Sequence, residues 1–286
     1  MTEMKTAAIL GAGQMGREIA LVLALGGFDT FLYDISETAL DNAAAHIEKS
    51  LNSGRYDPET AAETKPRLSY GTTLQGLEEV DLFVEAVSEI ADIKNDLFAR
   101  LDDLAKPEAI FASNTSSIPI TSLAVQLPPE RRPYFIGMHF SSPASRMDFV
   151  EIIPCDYTSK ETLGIVVGLG PRINKTVTQS KDVPGFVINR LLFAMLAEAQ
   201  RLVEEGVATV EDIDISARQA LNHKVGPFQI MDQATNGLML QIHDILQDHY
   251  GDRFAASDRL RQLVADGKLG RNAGQGWYAY PEKKSE

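Results

Sequence analysis

The chain is poor in cysteine: among 286 residues there is one, Cys155. A single thiol excludes an intrachain disulfide framework and a zinc site built from cysteines. Basic residues are also in short supply, with 27 Lys and Arg against 40 Asp and Glu and a net charge of −13. Phosphate backbones are gripped by a basic face, so nucleic acid is not an expected partner. Long hydrophobic runs are absent. The longest apolar stretch covers residues 19–28, well short of the roughly 20 residues a membrane span needs, so no membrane partner is expected. The opening M-T-E-M-K lacks the basic start and apolar region of a secretory signal, and the chain reads as cytoplasmic. What is present is ordinary for a globular protein, 44% hydrophobic and 23% charged. At about 100–200 residues per domain, the length fits one large or two modest domains.

The first half alternates strand-like and helix-like stretches. Apolar runs at 5–10, 29–34, 80–87, 109–113, 134–140 and 148–153 read as strands, and 14–26, 36–53 and 92–105 as helices, with Ser36 as an N-cap. Such alternation predicts an α/β fold, a Rossmann-type doubly wound and mostly parallel sheet. After K-D-V-P-G-F every long segment reads as helix: 187–205, 210–222, 227–249 and 257–266. Thr209 with Asp212 suits a helix start. The boundary falls where Pro184 and Gly185 break the chain, giving domains 1–182 and 183–286, the second all-α.

The first strand runs directly into G-A-G-Q-M-G, with Gly11, Gly13 and Gly16 in G-x-G-x-x-G spacing, and a helix opens at once. Gly11 permits the tight turn, Gly13 lets backbone approach a pyrophosphate, and Gly16 allows close helix–sheet packing. Gln14 and Met15 sit at the helix start, whose free N–H groups and dipole favour an anion. Asp34 ends the next strand, 18 residues after Gly16, where a carboxylate can accept both ribose hydroxyls and repel a 2′-phosphate. The expected cofactor is therefore NAD rather than NADP.

His139 lies at the end of a predicted strand, at the edge where open α/β sheets bind ligands, and Glu151 lies in the next strand. Hydride transfer from an alcohol needs a base for the hydroxyl proton, a role that suits histidine. A carboxylate on the other ring nitrogen would fix the tautomer and stabilise the imidazolium, as in a Ser-His-Asp triad. The other histidines, His46, His223, His243 and His249, have no metal-ligand spacing, and no metal is expected.

The ordered motifs G-A-G-Q-M-G, V-E-A-V-S-E (84–89), S-N-T-S-S (113–117), G-M-H-F (137–140) with F-V-E-I-I (149–153), P-G-F-V-I-N-R (184–190) and G-Q-G-W-Y resemble the L-3-hydroxyacyl-CoA dehydrogenase family over nearly the whole chain. The resemblance implies an NAD-dependent oxidoreductase of fatty acid metabolism acting on CH–OH, with His139 as base and Glu151 as its partner. Ser116 and Asn189 would hydrogen-bond the reacting oxygen or steer His139. Glu89, Lys94 and Ser116 would line the nicotinamide ribose. Ser50, Ser142 and Asn189 would meet the substrate, an acyl-CoA or a hydroxy acid. It further implies domain closure over the substrate and a homodimer formed through the helical domain. Phe228, Ile230, Met231, Leu238, Met239, Leu240 and Ile242 crowd more than one face of their helix, as an interface would require.

The chain departs from the family pattern in four places. Ser141 and Ser142 stand where an aromatic residue and an asparagine are usual, and Asp57 where a lysine meets the CoA phosphates. N-H-K-V-G-P (222–227) and Asn272 are the other two. Residues 36–57 hold Lys49 and Arg55 against Glu37, Asp41, Glu48 and Asp57, a balance that predicts weak attraction for CoA. Two alternatives stay open: oxidation of a carboxylate-bearing alcohol without CoA, paired by Lys224, Arg146 or Arg190, and a non-catalytic, crystallin-like role.

Overall fold

A computed structural model describes residues 4–281. The chain divides into two compact units, Met1–Val183 and Pro184–Glu286. The first is built on eight strands: β1 Thr6–Leu10, β2 Asp29–Tyr33, β3 Leu68–Gly71, β4 Leu82–Glu85, β5 Ile110–Ser113, β6 Phe135–Phe140, β7 Phe149–Pro154 and β8 Thr176–Gln179. Six helices accompany them: α1 Gln14–Leu25, α2 Glu37–Leu51, α3 Pro58–Thr64, α4 Ala91–Asp102, α5 Ile120–Ala124 and α6 Lys160–Arg172. The order across the sheet is β3-β2-β1-β4-β5-β6-β7-β8, and every neighbouring pair is parallel except β6 with β7.

Parallel strands covered on both faces must be apolar throughout. Accordingly β4, β5 and β6 are buried at every residue. Ile9, Leu21, Leu23, Phe28, Val84 and Ile136 belong to the continuous core beneath the helices. The two strands that sequence patterning missed, β3 and β8, form the edges of the sheet and hold only half-buried and exposed residues. Ser36 caps α2 as expected, accepting from Ala39 N at 3.3 Å.

The second unit holds α7 Ile188–Glu204, α8 Val210–Ala220, α9 Pro227–Ala234, α10 Asn236–Tyr250 and α11 Asp258–Ala265. The segment 227–249, read from sequence as one helix, is two. Thr235 breaks it with φ +109°, and its hydroxyl caps α10 at Leu238 N. Phe228, Met231, Met239 and Ile242, expected at an interface, instead fill this unit's own core with Phe193, Leu246 and Trp277. Among the described residues its exposed large apolar side chains are Val187, Leu191, Val207, Ile215, Leu221, Leu238 and Leu269, with Leu191 at 70%. Among the described residues no helix is long and apolar enough to cross a membrane.

Candidate active site

Because β1, β2, β4, β5 and β6 run parallel, their carboxyl ends share one edge, where the glycine loop, Asp34, Glu85, the 114–118 loop and His139 all fall. One position in the loop after β1 and one in the first turn of α1 tolerate only glycine. Gly11 has φ +106°, and a Cβ there would lie 2.8 Å from the Ala86 carbonyl oxygen. A Cβ on Gly16 would fall 1.7 Å from Gly11 O, which is how this glycine lets α1 approach the sheet. Gly13 differs: a Cβ would meet nothing within 4 Å, so backbone here is open to an incoming group. It is also the N-cap of α1 and provides no side-chain cap, leaving first-turn N–H groups for an anion. Asp34 accepts from Ala12 N at 2.7 Å through one oxygen and from Ser36 N at 2.9 Å through the other. Those bonds tie the carboxylate to the glycine loop, and each oxygen keeps a lone pair for a ribose hydroxyl. Cradle, helix start and carboxylate together fit NAD.

The chemical pair is delivered by the one antiparallel step in the sheet. In the β6–β7 register His139 lies directly opposite Glu151, so both side chains project from the same face. His139 Nδ1 is 3.2 Å from Glu151 Oε2. Glu151 is fully buried and His139 is 9% exposed. Twelve residues apart in sequence, they are neighbours because of this hairpin.

Beside them lies the loop after β5. Glu89 organises it: one carboxylate oxygen accepts from Thr115 Oγ1 (2.5 Å), Ser116 N (3.0 Å), Ser117 N (3.1 Å) and Ser117 Oγ (2.9 Å). The other oxygen meets Lys94 Nζ at 3.1 Å. Burial pushes the Glu89 carboxyl up, but the Lys94 charge and the Thr115 and Ser117 hydroxyls outweigh it and hold it below the ordinary glutamate range. Lys94, expected at the nicotinamide ribose, is 1% exposed and sits between Glu89 and Glu85, 2.5 Å from the latter. Glu85 was not singled out from the sequence. A carboxylate ending the apolar run L-F-V (82–84) was the available signal. Gln14 Nε2 donates to Ser142 Oγ at 3.3 Å, linking the start of α1 to the loop after β6, in which Ser142–Pro143 is cis.

Ser50 lines a cleft of about 450 Å³ in the first unit. Arg17, Lys49, Arg55 and Arg146 bring four cationic side chains to it, with His46, against one carboxylate, Glu18. Arg17 Nε is buried without a hydrogen-bond partner. The charge is the reverse of the one predicted from residues 36–57 alone. Arg17 and Arg146 come from outside that segment, while two of its four acids are engaged elsewhere: Glu48 pairs with Lys65 and Asp57 caps α3 at Thr60. Burial pushes the Glu18 carboxyl up, but hydrogen bonds from Ser145 and His46 outweigh it and hold it down. Asn189 lies on the first turn of α7 in the second unit and is 8% exposed.

The sequence profile for the NAD-binding domain of 3-hydroxyacyl-CoA dehydrogenase matches residues 6–183, and that for the family's C-terminal domain matches 185–280. A probable 3-hydroxybutyryl-CoA dehydrogenase of Deinococcus radiodurans is 43% identical over 279 residues, 95% of this chain and 99% of that one. Another, from Bacillus subtilis, is 38% identical across 99% and 100% of the two chains. The crystal structure of (S)-3-hydroxybutyryl-CoA dehydrogenase from Ralstonia eutropha superposes with a TM-score of 0.92 at 34% identity, covering 98% of this chain and all of that one. The chain thus belongs to the 3-hydroxyacyl-CoA dehydrogenases, NAD-dependent oxidoreductases that act on CH–OH groups.

Proposed function

We propose that the protein interconverts a 3-hydroxyacyl-CoA and its 3-ketoacyl-CoA, and that the His139–Glu151 pair moves the proton. The observation that carries this is the 3.2 Å contact between His139 Nδ1 and Glu151 Oε2 at the carboxyl edge of the sheet that also bears the glycine loop. The NAD couple, held by the glycine loop and Asp34, would supply the hydride acceptor for the alcohol and the hydride donor for the ketone. The chain's own residues handle the rest. Glu151 accepts at Nδ1, so the ring proton stays there and Nε2 faces the substrate hydroxyl as base. As Nε2 takes the proton, the buried carboxylate stabilises the imidazolium. In the reverse direction the same nitrogen returns the proton to the ketone oxygen. Ser116, set by Glu89, is assigned to a hydrogen bond with that oxygen, and Asn189 is the candidate from the second unit. Gly11, Gly13, Gln14, Met15, Gly16 and Asp34 would hold the cofactor, with Glu89 and Lys94 shaping its nicotinamide end.

The cationic cleft at Ser50 supports a CoA thioester over a free hydroxy acid, since CoA carries several phosphate charges. Ser142 belongs to this reading as a substrate-side hydroxyl. In the same reading the protein works as a homodimer in the cytoplasm. The buried, free Cys155 fits a reducing compartment, and exposed Leu191, Val207, Ile215 and Leu221 give the helical unit an apolar surface to cover. An NADH-absorbance assay with acetoacetyl-CoA beside acetoacetate tests the assignment. Saturable turnover of the thioester, with the free acid far slower, is expected. Turnover of the free acid alone would replace acyl-CoA with a small carboxylate substrate.

A further inference from the structure

Glu85 ends β4 near the middle of the sheet and is 0% exposed. A carboxylate at that depth is costly unless its oxygens are met by donors. Three donors meet it. Lys94 Nζ (2.5 Å) and Val87 N (2.7 Å) reach one oxygen, and Ser113 Oγ (2.6 Å) reaches the other. Ser113 is placed there by the β4–β5 register, which pairs it with Glu85, and its hydroxyl accepts from Thr115 N at 3.2 Å. The Lys94 ammonium divides its contacts among Glu85, Glu89 Oε2 at 3.1 Å and the Val87 carbonyl at 3.5 Å. A continuous chain of charge-assisted contacts therefore runs from the sheet interior through Lys94 and Glu89 to the amides of Ser116 and Ser117.

The geometry points to Glu85 as a positioning residue: through Lys94 it fixes Glu89, and through Glu89 it fixes the 115–117 loop that presents Ser116. This rests on the reading that Ser116 meets the reacting oxygen. Glu85 itself touches no substrate. Its negative charge anchors the ammonium toward the sheet, and Glu89 can then turn one oxygen to Lys94 and spend the other entirely on the loop. Without that anchor the buried cation has one carboxylate left, and it competes with the loop donors for both oxygens of Glu89.

Two readouts test this, one of them independent of catalysis. Amide hydrogen exchange over residues 114–118 is compared between wild type and Glu85→Gln, with the β6–β7 hairpin as internal reference. The loop should lose at least tenfold in protection while the hairpin keeps its own. In the acetoacetyl-CoA assay, kcat of Glu85→Gln should fall at least tenfold with KM within threefold. In a Ser116→Ala background the same substitution should lower kcat no more than twofold further, because Glu85 acts through Ser116. Unchanged loop exchange, or a full multiplicative loss in the Ser116→Ala background, overturns the proposal. If Glu85→Gln does not fold, Glu85→Asp, which keeps the charge but draws the carboxylate back from Lys94, carries the same expectations. Failure of the protein to use any acyl-CoA would leave the exchange arm readable and count against the substrate assignment alone.

Discussion

His139 in the first unit and His243 in the second are both buried and both hydrogen-bonded through the ring, yet their partners give them opposite chemistry. His139 faces a carboxylate, Glu151, across a β-hairpin. His243, on α10, is 0% exposed and has neutral partners: Nδ1 lies 2.7 Å from the Phe254 carbonyl, and Nε2 lies 2.9 Å from the Gln200 side-chain nitrogen. A carbonyl at one nitrogen and an amide donor at the other fix a single neutral tautomer, Nδ1–H donating and Nε2 accepting. A proton added at Nε2 would meet the amide N–H of Gln200. Burial pushes the His243 ring down, and the Phe254 hydrogen bond does not offset it. In the proposed function the same residue type cycles a proton in one place, while in the other it locks a helical core, and the partner atom sets the difference.

The comparison can be broken at either histidine. The largest effect is expected at Glu151→Gln, which keeps the shape of the pair and removes its charge. Turnover should fall by about 10⁴-fold, as when a triad carboxylate is neutralised in a serine protease, while NADH binding followed by fluorescence stays within a fewfold. A loss below tenfold would make Glu151 a packing residue. His243→Leu should act on stability instead. It strips partners from the Phe254 carbonyl and the Gln200 amide, costing about 1–3 kcal/mol per orphaned group. The urea midpoint should drop accordingly, with kcat of the folded protein within twofold of wild type.

A smaller effect concerns pH. The folded protein holds His243 neutral, with its pKa below the ordinary value near 6.5, so the unfolded chain takes up a proton first as pH falls. Its stabilising contribution is complete above pH 6.5. Below that it is lost at up to about 1.4 kcal/mol per pH unit until the folded pKa is reached. Urea unfolding of wild type and His243→Leu at pH 7.5 and 5.5 isolates this, and wild type should lose more of its stability. The finest adjustment is Gln200→Glu, which offers His243 a carboxylate. It keeps the oxygen that accepts from Ser257 N and Oγ, so the acid-side loss should flatten. An unchanged pH slope would show that burial alone, and not the partner, keeps His243 neutral.

These contrasts also mark what the sequence could reveal. The G-A-G-Q-M-G loop was readable because its constraints are local: a strand, a turn needing φ > 0 at Gly11 and a helix follow one another within a dozen residues. His139 and Glu151 were readable as a pair because they lie on consecutive strands. The antiparallel turn of β7 was not, since alternating apolar patterns do not encode strand direction. Glu85 was hidden because its meaning depends on the β4–β5 register that brings Ser113 alongside. Arg17 and Arg146 meet at one cleft only through the fold, which is why counting charges over 36–57 gave the wrong sign. His243 and Gln200 are 43 residues apart on different helices, and no local pattern announces them.

The most direct test sets His139→Gln and His243→Gln side by side in one assay of NADH oxidation by acetoacetyl-CoA, at a temperature where both remain folded. His139→Gln should lose at least about 10²-fold in turnover, the lower end for removal of a general acid–base group, with NADH binding preserved, while His243→Gln keeps near-normal turnover despite a lower urea midpoint. Turnover by His139→Gln within tenfold of wild type would contradict the account and place the proton acceptor elsewhere.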